Sequence, residues 1–160
     1  IFPSEAGGGY FYDLTRTWSL GYAPDEVAAL YEDLQWVYNS VFEELKSGVP
    51  CRDFQVMTCE RFEAKGHPTV LNTPTTTDGY VHGLAHGLGL DVHEGPSFSH
   101  LESNTDILQP GTVFTFEPGL YYPERGIGVR IEDTVWARPD GGFEVLAEYP
   151  KDLVLKIPGV

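Results

Sequence analysis

Four of the five histidines fall within nineteen residues: His82, His86, His93 and His100. In the stretch HGLAHGLGLDVHEGP the first three are spaced by four and then seven, with glycines between them that let backbone and ligand approach closely. A lone histidine is ordinarily a satisfied structural residue, whereas three so spaced point to metal or proton chemistry. Three carboxylates stand in apolar, strand-like surroundings: Asp13 in YFYDLTRTW, Glu117 in VFTFEPGLYY and Glu132 in GIGVRIEDTVW. A carboxylate in such a run is costly to bury unless it is paired or bound to a metal. A salt bridge between Arg130 and Asp133 accounts for one acid of the last stretch. It does not account for Asp13, Glu117 and Glu132 together. One imidazole with several carboxylates makes an oxygen-rich site that suits Mn, Co, Fe or Zn. Bridging carboxylates would allow two ions ~3.5–4 Å apart to share a hydroxide, an arrangement used for hydrolysis.

Other chemistries find less support. There is no H-E-x-x-H, no G-x-S-x-G and no Walker A loop, and Gly87-Leu88-Gly89 is too short for a dinucleotide fingerprint. The formal net charge is −14, and the ten basic residues are scattered, so no nucleic-acid partner is expected. No apolar run approaches the ~20 residues that span a membrane. Cys51 and Cys59 do not form a C-x-x-C pair and lack further cysteines for a zinc knuckle. They read as free thiols in a reducing compartment, so the expected location is cytoplasmic. The start, Ile1-Phe2-Pro3, reads like the inside of a strand without an initiator Met, and the expectation is a fragment or a processed chain.

These residues need a frame. Residues 8–20 read as a strand or hairpin edge. Val27, Leu30, Leu34, Val37, Val41 and Leu45 recur at helical spacing, which predicts an amphipathic helix of roughly 22 residues. Pro24 suits its first turn, and Gly48 followed by Pro50 stops it. A second helix is expected from Arg52 to Lys65, ending at Gly66. From Pro68 onward short apolar runs alternate with turn residues, QPGT and PDGG among them. Two helices followed by a largely antiparallel sheet make an α+β fold, and residues 1–160 read as a single unit.

The stretches YDLTRT, HGLAHGLGLDVHEGP, LQPGTVFTFEPGLYYPERGIGVRIED and DGGFEVLAEYPKDLVL come in the order and at the spacings of a known family. The chain resembles the pita-bread metallopeptidases: Xaa-Pro aminopeptidases, prolidases and methionine aminopeptidases. GIGVRIED favours the Xaa-Pro aminopeptidase and prolidase branch. The resemblance implies a curved antiparallel sheet with flanking helices, two divalent ions with manganese favoured, and a peptide substrate with a penultimate proline. It implies that Asp13, His86, Glu117 and Glu132 are metal ligands, and that a further aspartate would lie just before Ile1. It therefore implies the C-terminal portion of a catalytic domain, truncated at its N-terminus. It implies cleavage of the Xaa-Pro bond by a hydroxide shared between the ions, with Glu117 as general base and His93 as oxyanion donor. His82 would line the substrate pocket. Arg130 would meet a substrate carboxylate or orient a neighbouring acid. The chain alone would be impaired and would retain an N-terminal fragment or form a homodimer. The rival reading is a pita-bread module that holds peptide or protein without cleaving it.

Overall fold

The computed structural model describes residues 1–4 and 7–157. The chain begins with two short antiparallel strands, β1 (Phe2–Pro3) and β2 (Phe11–Tyr12), followed by β3 (Ser19–Leu20). Helices α1 (Asp25–Glu43) and α2 (Cys51–Ala64) come next. Then follow β4 (His86–Gly87), β5 (Glu94–Ser97), β6 (Val113–Phe116), β7 (Gly119–Tyr122), β8 (Ile127–Arg130), β9 (Asp133–Ala137), β10 (Phe143–Val145) and β11 (Val154–Leu155). No helix among the described residues is long and apolar enough to cross a membrane.

Helix α1 buries Leu30, Leu34, Val37 and Val41 on one stripe, as its 3.6-residue period requires. It is shorter than its sequence pattern. Pro24 caps it from outside the first turn, and the helix stops at Glu43 rather than running toward Gly48. The last turn tightens, with Glu44 N–H bonded to the Val41 carbonyl and Leu45 N–H to that of Phe42. Gly48 N–H is taken by the Leu108 carbonyl at 2.8 Å, a tertiary bond that draws the chain off the helix axis while Leu45 stays buried. Helix α2 begins one residue before its expected start and ends at Ala64, followed by Gly66, whose φ of 87° is the left-handed conformation that closes helices.

The main sheet has the order β10-β9-β6-β4-β5 and is antiparallel throughout. Strands β7 and β8 form a separate antiparallel pair, and β3 pairs with β11 in parallel. The turns expected at Pro110-Gly111 and Asp140-Gly141 are present, each with glycine at φ 91°. Helix α1 lies on the sheet through Tyr38 and Phe42, whose rings meet Phe116 edge-on at 5.0 and 5.6 Å. Leu34, Val37, Phe54, Phe62, Tyr80, Phe114, Leu120, Ile131 and Val135 fill the core between helices and sheet.

The pairing around β6 to β9 places the candidate site residues. β6 pairs with β9, ending with Phe116 opposite Asp133; β7 pairs with β8, starting with Gly119 opposite Arg130. The two ladders share one register, so they are a single hairpin interrupted between residues 116 and 119 on one strand and 130 and 133 on the other. Glu117 and Glu132 stand opposite each other in that gap. Each turns its backbone elsewhere: Glu117 N–H to the Leu84 carbonyl at 2.9 Å, Glu132 N–H to the Thr15 carbonyl at 3.0 Å.

Cys51 and Cys59 are free and fully buried on α2. Burial pushes their thiols up from 9.0 to about 12 and about 11. Above pH 9 an unfolded chain sheds thiol protons that the folded chain keeps, so these groups contribute stability that is lost as pH rises from about 9 toward 12. The native chain should accordingly leave Ellman's reagent unreacted at pH 8 and release two thiols per chain in guanidinium. Rapid labelling of either cysteine in the native chain would contradict the burial.

Candidate metal centre

Asp13, Thr15 and Glu132 are brought together by one bridge between two segments. Thr15 and Glu132 exchange backbone hydrogen bonds, Thr15 N–H to the Glu132 carbonyl at 3.3 Å and the reverse at 3.0 Å. Two residues before Thr15, on the same face by strand alternation, comes Asp13. The Thr134 hydroxyl donates to the Asp13 carbonyl at 2.7 Å and accepts its N–H at 3.2 Å. The Thr15 hydroxyl donates to Glu132 Oε2 at 2.5 Å.

His86 arrives from β4 on the other side of β6. Its N–H bonds to Thr115 Oγ1 at 3.0 Å, and the same hydroxyl donates to Glu117 Oε1 at 3.1 Å. The next residue, Gly87, passes so close to β5 that an added Cβ would lie 2.0 Å from the Gly95 carbonyl oxygen, so only glycine fits beside this histidine. His86 Nδ1 donates to the Gly87 carbonyl at 2.9 Å, which leaves Nε2 as the ring's lone-pair nitrogen. Nε2 lies 3.4 Å from Glu117 Oε1.

Asp13, His86 and Glu132 each offer a ligand atom, and these atoms lie within 4.8 Å of one another. Asp13 and Glu132 are buried, and His86 and Glu117 are half-buried. Burial, and behind it the neighbouring Glu132 charge, pushes the Glu117 carboxyl up to about 8. Burial also raises Glu132, against the opposing bond from Thr15, and lowers His86 toward its neutral form. Arg130 is the side-chain cation at hand, with Nε 3.8 Å from Glu132 Oε2. A neutral imidazole facing clustered carboxylates short of positive charge is a donor set that fits divalent cations.

The same wall opens onto a cleft of about 530 Å³ lined by His82, His86, His93, Glu117, Tyr121 and Arg130, among others. His93 is exposed at its mouth, its ring centroid 4.3 Å from that of His86. His82 is held by Nδ1 to the Gly83 carbonyl at 2.8 Å and by Nε2 to the Tyr121 hydroxyl at 3.1 Å. His100 lines a smaller adjoining pocket of about 250 Å³ and stands apart from the carboxylates. A concavity of about 540 Å³ bounded by Val145 and Glu148–Lys151 contains none of these groups.

Asp133 corrects the sequence-based pairing. Strand alternation sends Arg130 and Glu132 to the cleft side and Asp133 to the opposite side. Asp133 therefore pairs with Arg16 at 2.5 Å and Lys151 at 2.8 Å, not with Arg130. Sequence reasoning also passed over Thr15, Thr115 and Thr134. Their signal is a threonine two residues from each carboxylate, where the period of a strand puts it on the same face.

The profile of metallopeptidase family M24 matches residues 5–139. "Uncharacterized peptidase YqhT" of Bacillus subtilis is 34% identical over 147 residues, covering 92% of this chain and 38% of that protein. The crystal structure of the X-Pro aminopeptidase from Thermotoga maritima MSB8 superposes with a TM-score of 0.77 at 31% identity, over 92% of this chain and 38% of that one. The Xaa-Pro dipeptidase from Bacillus anthracis gives the same TM-score, 0.77, and 31% identity over 91% and 38%. The chain thus spans less than two-fifths of the length of the curated relatives it matches.

Thr115 is expected to be the hinge of the His86–Glu117 arrangement. Thr115→Val leaves the His86 N–H without its acceptor and should cost about 1–3 kcal/mol in urea unfolding, while Thr115→Ser keeps most of the stability. Equal stability of the valine and serine variants would show that the hydroxyl does no such work.

Proposed function

The chain belongs to metallopeptidase family M24, and from that premise we propose that it carries the catalytic wall of a metal-dependent exopeptidase acting on N-terminal Xaa-Pro peptides. The observation that carries the proposal is the convergence of Asp13, His86 and Glu132 within 4.8 Å, with Glu117 on the same imidazole. The preference for proline is carried over from the relatives named X-Pro aminopeptidase and Xaa-Pro dipeptidase. Residues 1–160 form, in this reading, one unit that is the C-terminal portion of the catalytic domain.

Asp13, His86, Glu117 and Glu132 would hold the ions. Bound divalent ions would supply Lewis acidity, acidifying a water and polarising the scissile carbonyl. Glu117, facing the cleft, takes the proton released at the attacking oxygen and returns it to the leaving nitrogen. His93 at the mouth donates an N–H to the carbonyl oxygen as it gains charge. His82, fixed between Gly83 and Tyr121, shapes the substrate wall. Arg130 Nε donates to Thr15 Oγ1 at 3.1 Å, which steadies the residue bonded to Glu132, its Nη1 reaches the Tyr121 hydroxyl at 3.5 Å, and Nη2 is left to meet a substrate carboxylate. These four donors are one fewer than the five ligands of the family pattern. The 160-residue chain alone is therefore proposed to take one ion weakly and to turn over slowly.

Calorimetric titration with manganese separates these roles. In the complete enzyme His86→Ala should abolish metal uptake. His93→Ala should keep the wild-type affinity yet lower turnover of an Xaa-Pro dipeptide by ~10²–10³. Loss of metal in His93→Ala, or two ions with brisk proline-specific cleavage by the 160-residue chain, would overturn the assignment.

A further inference from the structure

We infer that Arg16 is a positioning residue for the ligand pair Asp13 and Glu132, acting through the main chain without touching ion or substrate. The inference rests on the metal reading above. Thr15 and Glu132 face the cleft; their neighbours Arg16 and Asp133 face the other side of the same two segments. The carboxylates at the front and the ion pair at the back thus share one backbone bridge.

The Arg16 side chain is fully buried, and all five of its N–H groups are used. Nε donates to the Pro150 carbonyl at 3.2 Å. One terminal nitrogen donates to the carbonyls of Thr15 at 2.9 Å and Glu132 at 2.8 Å. The other donates to Asp133 Oδ1 at 2.5 Å and to the Tyr149 carbonyl at 3.0 Å. One guanidinium nitrogen, fixed in its plane by the bonds of the other two, therefore grips the two carbonyls of the Thr15–Glu132 bridge itself. Asp133 is saturated in turn, its second oxygen taking the Tyr38 hydroxyl at 2.5 Å and Lys151 Nζ at 2.8 Å. Lysine in place of Arg16 would keep the charge opposite Asp133 but brings three N–H groups on one nitrogen to these five acceptors, with no guanidinium plane to fix the donor that holds the two carbonyls. The separation of the front carboxylates would then relax, and metal sites depend on that geometry.

A role confined to stability is separable by comparison with Lys151, which touches the same Asp133 but neither bridge carbonyl. The test titrates the 160-residue chain with Co(II) alone, following its visible absorption, and records thermal midpoints in parallel. Arg16→Lys should weaken Co(II) binding about 10- to 100-fold, while Lys151→Met stays within about twofold, although both lower the midpoint. If Arg16→Lys does not fold, the double variant Arg16→Gln/Asp133→Asn, which leaves no unpaired carboxylate, should show the same loss. Wild-type affinity in a folded Arg16 variant, an equal loss in Lys151→Met, or failure of both Arg16 variants to fold would each overturn the positioning role. Co(II) binding that survives His86→Ala would instead sink the metal reading, and this inference with it.

Discussion

Two glutamates face each other where an antiparallel ladder is broken. Like charges in that position repel, and burial withholds the water that would screen them. Most of the architecture around Glu117 and Glu132 answers this constraint. The ladder opens at their level, so neither backbone is committed to the other strand. The freed N–H groups are taken by Leu84 and Thr15, and these two contacts connect the loop before β4 and the segment after β2 to the hairpin. His86 and Asp13 come with those segments. The strain of clustering acids and the assembly of the proposed cation site therefore have one structural origin.

A second layer holds this arrangement from behind. The Arg16–Asp133 pair is buried, and removing one partner of such a pair costs about 3–5 kcal/mol because the other is left as an uncompensated charge. The pair is tolerable inside the protein because both members are saturated with hydrogen bonds. Tyr38 joins it to α1 and thus to Phe116, one residue before Glu117. Tyr149, Pro150 and Lys151 join it to the segment leading into β11. Packing of α1 on the sheet is in this way coupled to the position of the carboxylates. The far side of the helix is tied separately, through Asp33, His67 and Tyr122.

The threonines show how little is needed to aim such groups. Thr15, Thr115 and Thr134 each bond to the side chain or backbone of one of the clustered carboxylate residues. Each stands two positions from a carboxylate, where a strand's alternation guarantees a shared face. A β-branched residue is also at home in a strand, so the same side chain serves local structure and ligand geometry.

Much of this was legible in the sequence. The stripe from Leu30 to Val41 announced α1, proline marked its start, glycine and proline marked the later turns, and apolar-flanked acids beside clustered histidines signalled cation chemistry. Those signals are local: period, turn chemistry and the cost of an acid among apolar neighbours are properties of a few adjacent residues. The resemblance singled out His86 among the histidines and aligned it with Asp13, Glu117 and Glu132. What composition and spacing left open was partnership. Asp133 looked like the mate of Arg130 because they are three residues apart, but strand alternation puts them on opposite faces, and Asp133 found Arg16 from 117 residues away. Helix α1 stopped short because a distant carbonyl, that of Leu108, claimed Gly48. That Glu117 opposes Glu132 follows from the register of a hairpin, and that Asp13 joins them follows from a bridge across 117 residues of chain. Such choices depend on which strands lie side by side, and only the folded backbone decides that.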